Sequence, residues 1–216
     1  MPATIAFDLD GTLIDSVPQI ALSVNSGLAD LGLDPLDEAT VQGFVGRGLP
    51  KLVEQVIAHL DLPKTGFQDL HDRILRVYVT VPTPPSVIYP GALDALEALK
   101  SAGHPLTLCT NKPHAATLKC LTDTGLAPFF DPVIGGDSLP TRKPDPAMLH
   151  AALKGAEQAL YVGDSETDAE TAQAAGIPFL LFTEGYRKTP VEALPHSASF
   201  SHHADLPARV HTSLVS

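Results

Sequence analysis

Ala3-Thr4-Ile5-Ala6-Phe7-Asp8-Leu9-Asp10-Gly11-Thr12 is the stretch that decides the fold. A short apolar run ends abruptly in two acids, a glycine and a threonine. A continuous apolar run of this length, closed by a turn signal, reads as a buried strand, and strands buried on both faces belong to parallel sheets. The pattern recurs along the chain. Pro105 to Cys109 leads into Thr110-Asn111, Pro132 to Ile134 into Gly135-Gly136-Asp137, and Ala159 to Val162 into Gly163-Asp164. A fifth run, Pro178 to Phe182, follows Gly176. Helical patterns separate them. Leu93, Leu96 and Leu99 fall three apart before the stop signal Gly103, Asp145-Pro146 opens a helix through Leu153, and Ala169 to Ala175 closes at Gly176. Strands alternating with helices predict an α/β fold, a doubly wound parallel sheet with a Rossmann-like core.

Residues 16–82 break this rhythm. Val17, Ile20, Ala21, Val24, Leu28 and Leu31 share one helical face. A second stripe runs through Leu49, Leu52, Val53, Val56, Ile57 and Leu60, and a third through Leu70, Ile74, Val77, Tyr78 and Val81. Pro82-Thr83-Pro84-Pro85 then makes a stiff return linker. The expectation is an all-helical cap domain, 16–82, inserted after the first strand of a core formed by 1–15 and 83–216. Hinge motion is expected at the two crossings, near Ser16 and Pro82 to Pro85. From residue 187 the patterning is loose. The last dozen residues are expected to fray, and His196, His202, His203 and His211 read as solvated surface rather than a metal cluster.

Composition narrows the function. The formal charge of −11, from 14 Lys and Arg against 25 Asp and Glu, argues against nucleic acid and acidic membranes as partners. A site for an anion on such a chain must make its positive potential locally, from a metal ion, a few basic side chains and helix N-termini. Two cysteines cannot form a disulfide framework, and Cys109 reads as a buried hydrophobe. The first residues carry no basic signal-peptide region, and no apolar run is long enough to span a membrane. The expectation is a soluble protein of the reducing cytoplasm, monomer or homodimer.

In open α/β sheets, ligands bind at the carboxyl ends of the strands, where the strand order reverses. That rule gives Asp8, Asp10, Thr110, Lys143 and Asp164 one address. Asp8 and Asp10 lie on one side of a strand continuation, and like charges so close call for a cation or a shared proton. Asp164 and Asp168, across Ser165-Glu166-Thr167, exceed what helix capping requires. Mg²⁺ takes oxygen ligands and usually one or two direct carboxylates. Asp8 and Asp164 are the best direct pair, with Asp168 and Glu166 supporting bound water. Thr110 and Asn111 can donate to phosphate oxygens, and Lys143 is fixed in place by the following Pro144.

The four signatures Asp8-Leu9-Asp10-Gly11-Thr12, Thr110-Asn111, Lys143-Pro144 and Gly163-Asp164-Ser165-Glu166-Thr167-Asp168 together resemble the haloacid-dehalogenase-like hydrolase superfamily, in its helical-cap branch. The resemblance implies that Asp8 is the nucleophile and forms an aspartyl-phosphate, and that Asp10 is the general acid and base. It implies Mg²⁺ held by Asp8, the Asp10 carbonyl and Asp164, with Asp168 in support, and a phosphoryl group bound by Thr110 and Lys143. The further spread of Asp10 to Ser16, Gly46 to Pro50, Tyr89-Pro90-Gly91, Thr110 to Pro113 and Gly135 to Asp137 is similar to bacterial phosphoglycolate phosphatases. Their substrate is a small anionic ester, 2-phosphoglycolate, whose carboxylate calls for a basic group from the cap. Of the five candidates there (Arg47, Lys51, Lys64, Arg73, Arg76), Arg47 stands out between two glycines. The alternatives are a sugar-phosphate phosphatase or β-phosphoglucomutase-like enzyme on the same scaffold, and, outside the enzymes, a phospho-acceptor signalling domain. A pocket-keeping binding protein is disfavoured by the complete acid set. The glycines at 43, 46 and 48 fit neither a dinucleotide fingerprint nor a P-loop.

Overall fold

The computed structural model describes residues 2–215. Six strands form one sheet: β1 Thr4–Phe7, β2 Leu106–Cys109, β3 Val133–Ile134, β4 Ala159–Gly163, β5 Phe179–Phe182 and β6 Ala198–Phe200. Their order is β3-β2-β1-β4-β5-β6, with every neighbouring pair parallel. The order reverses between β1 and β4, which places the crevice of such a sheet at the C-terminal end of β1.

Alternation along each strand serves both faces. Ile5 and Phe7 of β1 join a cluster that includes Leu96 and Leu99 of α5 (Ala92–Ser101) and Leu206 and Val210 of α9 (Leu206–Val215). Ala6 points the other way, among Met148 and Leu149 of α7 (Ala147–Ala152) and Ala169 and Ala172 of α8 (Glu166–Ala175). Helix α6, His114–Thr124, follows β2. Four α-helices lie between β1 and α5: α1 Val17–Ala29, α2 Glu38–Gln42, α3 Leu49–His59 and α4 Phe67–Tyr78. They bury their own cluster, in which Val24 and Leu28 of α1 meet Val53 and Val56 of α3 and Leu70 and Ile74 of α4. The two chain crossings between this unit and the sheet are hydrogen-bonded to each other, since Asp15 N–H donates to the Val87 carbonyl at 2.7 Å and Tyr89 N–H to Leu13 at 3.0 Å.

The C-terminus departs from the expected fraying. A sixth strand pairs with β5, and α9 buries Leu206 and Val210 completely among the described residues. Of the four tail histidines, His203 is not solvated surface. It is 1% exposed, packs on Phe182, and its Nε2 lies 2.8 Å from the Thr12 carbonyl. Burial pushes its pKa down to about 4, so it is a neutral donor to that carbonyl.

Candidate active site

β1 ends at Phe7, and the chain turns back on itself two residues past Asp8. Leu13 N–H donates to the Leu9 carbonyl and Gly11 N–H to Ile14, each at 2.9 Å. Gly11 takes φ +84°, and a Cβ there would stand 2.5 Å from Asp164 Oδ2. A glycine is therefore required both by the turn and by the close approach of the carboxylate at the end of β4.

The buried members of the site form a chain of charge. Lys143 is 3% exposed, and its Nζ lies 3.0 Å from Asp8 Oδ1 and 2.7 Å from Asp168 Oδ1. It also donates to Tyr161 Oη at 2.8 Å, and Tyr161 donates in turn to Asp168 Oδ1 at 2.6 Å. Burial works to lower the pKa of Lys143, but Asp168 and Asp8 together hold it above the usual lysine value. Asp168 accepts on its other oxygen from Ser165 Oγ at 2.6 Å and from the Asp164 and Ser165 N–H groups. Against the cost of burial, Lys143, Ser165 and Tyr161 hold its carboxyl below the ordinary value. Asp168 thus spends both oxygens on protein partners, and its clearest structural act is to hold Lys143. Gly163 makes room for it, since a Cβ there would lie 2.5 Å from Asp168 Cγ.

The other acids are less well compensated. Asp164 accepts from Thr12 Oγ1 at 2.8 Å and from Tyr186 N–H at 2.6 Å, yet burial and the charges of Asp168 and Asp8 raise its pKa well above the ordinary value. Burial, opposed by Lys143 and reinforced by Asp168 and Asp10, pushes Asp8 up to about 7. Asp8 Oδ1 is buried without a hydrogen bond of good geometry. Asp8, Asp164 and Asp168 each present an oxygen within 4.8 Å of the others. Hard anionic oxygens facing one another in excess of the available positive charge suit a hard divalent cation.

The strand-end loops fall where the sequence puts them, with two changes of emphasis. Thr110 is buried at the end of β2. The Asn111 side chain is engaged by protein partners: its Nδ2 donates to the carbonyls of Lys143 at 3.0 Å and Gly46 at 3.1 Å, and its Oδ1 accepts from Lys143 N–H at 3.0 Å. It braces the Lys143 loop and ties it to the loop of Gly46 and Gly48. Those glycines do bring the cap over the crevice, with Gly48 at φ +81° and its would-be Cβ 3.1 Å from the Asn111 carbonyl. Arg47 itself is half-exposed, 3.6 Å from Glu170.

Two further residues take their place in the site once the structure is seen. Lys112 is 6% exposed, and its Nζ donates to Asp10 Oδ1 at 3.0 Å and to Tyr78 Oη, at the end of α4, at 2.7 Å. Burial works to lower its pKa, but Asp10 and Tyr78 together hold it above the usual lysine value. The signal was the same as for Lys143, a lysine fixed ahead of a proline, here Pro113. Tyr186 has no such signal. Its hydroxyl accepts from Ser16 N–H and donates to Asp15 Oδ1, both at 2.8 Å, bracing one crossing to the cap.

The haloacid dehalogenase-like hydrolase family model matches residues 5–182, from β1 to the end of β5. The chain belongs to that family. Membership makes it a hydrolase whose α/β core and helical cap are those of the family, and phosphatases of this family generally use Mg²⁺. Its curated relatives include the phosphoglycolate phosphatase of Cereibacter sphaeroides (strain ATCC 17025 / ATH 2.4.3), 48% identical over 96% of both chains. The phosphoglycolate phosphatase of Rhodobacter capsulatus is 44% identical over 97% of both. Among solved structures, a predicted phosphoglycolate phosphatase from Haemophilus somnus 129pt superposes with a TM-score of 0.85 at 31% identity, covering 97% of this chain and 98% of that one. No helix among the described residues is long and apolar enough to cross a membrane.

Proposed function

We propose that the protein is a Mg²⁺-dependent phosphoglycolate phosphatase of the cytoplasm, converting 2-phosphoglycolate and water to glycolate and inorganic phosphate. The observation that carries this reading is the Asp8 carboxylate held 3.0 Å from a buried lysine, with Asp10 beside it, in a chain 48% identical to an enzyme of that name.

Asp8 attacks phosphorus with one carboxylate oxygen, and the ester oxygen leaves on the opposite side, taking a proton from Asp10. Asp10, now a carboxylate, takes a proton from the water that attacks the aspartyl-phosphate, which restores both acids and frees phosphate. Lys143 offsets charge on the transferring group, and Asp168 keeps Lys143 aimed at it. Thr110 supplies a hydroxyl at the same strand edge. Asp8, Asp164 and the Asp10 carbonyl would hold Mg²⁺, with Asp168 in support, and the ion would neutralise phosphoryl charge and relieve the repulsion between Asp8 and Asp164. The cap, 16–82, covers the reaction, and the core is 1–15 with 83–216.

Phosphate release with Mg²⁺ from a panel of small esters tests this. 2-Phosphoglycolate is expected among the best substrates by kcat/KM, and Asp8→Asn is expected to lose at least about 10³-fold in kcat. A hexose phosphate hydrolysed far better than 2-phosphoglycolate would sink the substrate assignment.

A further inference from the structure

The cleft divides at Asp8 and Asp10 into two compartments. The outer one, of about 380 Å³, carries Arg47, Lys51 and Lys188 along its wall. The inner one, of about 40 Å³, reaches beneath the cap among Ile20, Val24, Phe44, Leu52 and Ile74. Among the described residues lining it, Lys112 is the only cation.

An ammonium has three N–H donors. Lys112 hydrogen-bonds to two partners, Asp10 Oδ1 and Tyr78 Oη, and stands 4.3 Å from the centre of the Tyr78 ring. An anion entering a compartment of apolar walls pays a large desolvation cost unless a cation meets it there. The chemistry proposed above sets the ester oxygen of the substrate against Asp10. In 2-phosphoglycolate a single methylene separates that oxygen from the carboxylate carbon. A group so close to Asp10 on the cap side meets Lys112, whose Nζ is already 3.0 Å from the Asp10 carboxylate. Arg47 sits in the outer compartment, more than half exposed and facing Glu170, where solvent screens its charge.

We infer that Lys112 is the specificity-determining residue that receives the substrate carboxylate, with Tyr78 of the cap holding it in place. This inference rests on the phosphoglycolate reading of the site. It moves the basic group from the cap loop to the core loop after β2, and leaves the cap to supply the hydroxyl and the ring.

The test compares kcat/KM for 2-phosphoglycolate with that for 2-hydroxyethyl phosphate, in which an uncharged hydroxymethyl group replaces the carboxylate. The ratio of the two is unaffected by the fraction of enzyme that is folded, because both substrates sample the same active molecules. Loss of a charge-assisted hydrogen bond in Lys112→Met is expected to cut the ratio roughly 10- to 100-fold. Lys112→Arg, which keeps the charge, is expected to recover part of it. If the methionine variant turns over too slowly to read, Lys112→Gln is read in its place with the same expectation. A ratio within about threefold of wild type, or an equal fall in Arg47→Ala, overturns the assignment to Lys112. A wild-type enzyme that shows no preference for 2-phosphoglycolate would instead refute the phosphoglycolate reading itself.

Discussion

Asp168 shows how a residue can matter to chemistry through another. Both of its oxygens are occupied, and one of them holds Lys143 at 2.7 Å. Asp168→Asn leaves a buried ammonium with one carboxylate fewer, which costs on the order of 3–5 kcal/mol when a buried pair is broken. The expected outcome is a loss of that size in urea unfolding together with a fall in kcat of about 10- to 100-fold, the usual effect of losing such a support. Unchanged kcat would mean that Lys143 needs no such support. At this scale the sequence was informative wherever chemistry and neighbours coincide. Asp8, Asp10 and Asp164 announce themselves as acids at strand ends. Lys112 carries only the proline that follows it, and its burial depends on Tyr78, 34 residues earlier at the end of α4.

Among the elements, the cap helices were legible because their stripes repeat over many turns, whereas β6 and α9 were not. β6 is three residues at the sheet edge, and α9 buries only Leu206 and Val210 among its described residues. So few buried positions leave no period to read. Two predictions belong here. Leu28 is fully buried between α1, α3 and α4, and Leu28→Ala is expected to cost 2–5 kcal/mol by denaturant unfolding, the range for a core cavity. His203, in the turn that leads into α9, carries a pH dependence. Its folded-state pKa, about 4, is depressed from the ordinary histidine value of about 6.5, so the unfolded chain takes up the proton first as pH falls. The stability it contributes is present above about pH 6.5 and is lost on acidification toward pH 4, amounting to roughly 2 kcal/mol between pH 7 and 5. His203→Gln, which can still donate to Thr12, should lose correspondingly less over that interval. Parallel losses in the two proteins would mean that His203 titrates freely.

For the whole molecule, the difficulty of an anion site on a chain of net −11 is resolved by placement rather than by total charge. Two buried lysines lie 3.0 Å from the carboxylates at the end of β1, Lys143 from Asp8 and Lys112 from Asp10, and the excess of carboxylate around Asp8 and Asp164 calls for a divalent cation. Mg²⁺ at about 100 times its dissociation constant is expected to add about 2.7 kcal/mol. For a chain of this length that raises Tm by roughly 5–10 °C. Asp164→Asn should abolish most of the shift, and a Tm indifferent to Mg²⁺ and to chelator would argue against a metal at this cluster.

The central claim is that Asp8 becomes phosphorylated during turnover. The most direct measurement is rapid-quench mass spectrometry of the enzyme mixed with 2-phosphoglycolate and Mg²⁺. A transient phosphoryl adduct is expected on the peptide carrying Asp8, longer-lived in Asp10→Asn and absent from Asp8→Asn. Turnover by Asp8→Asn at the wild-type rate, or an adduct on any other residue, would contradict the account.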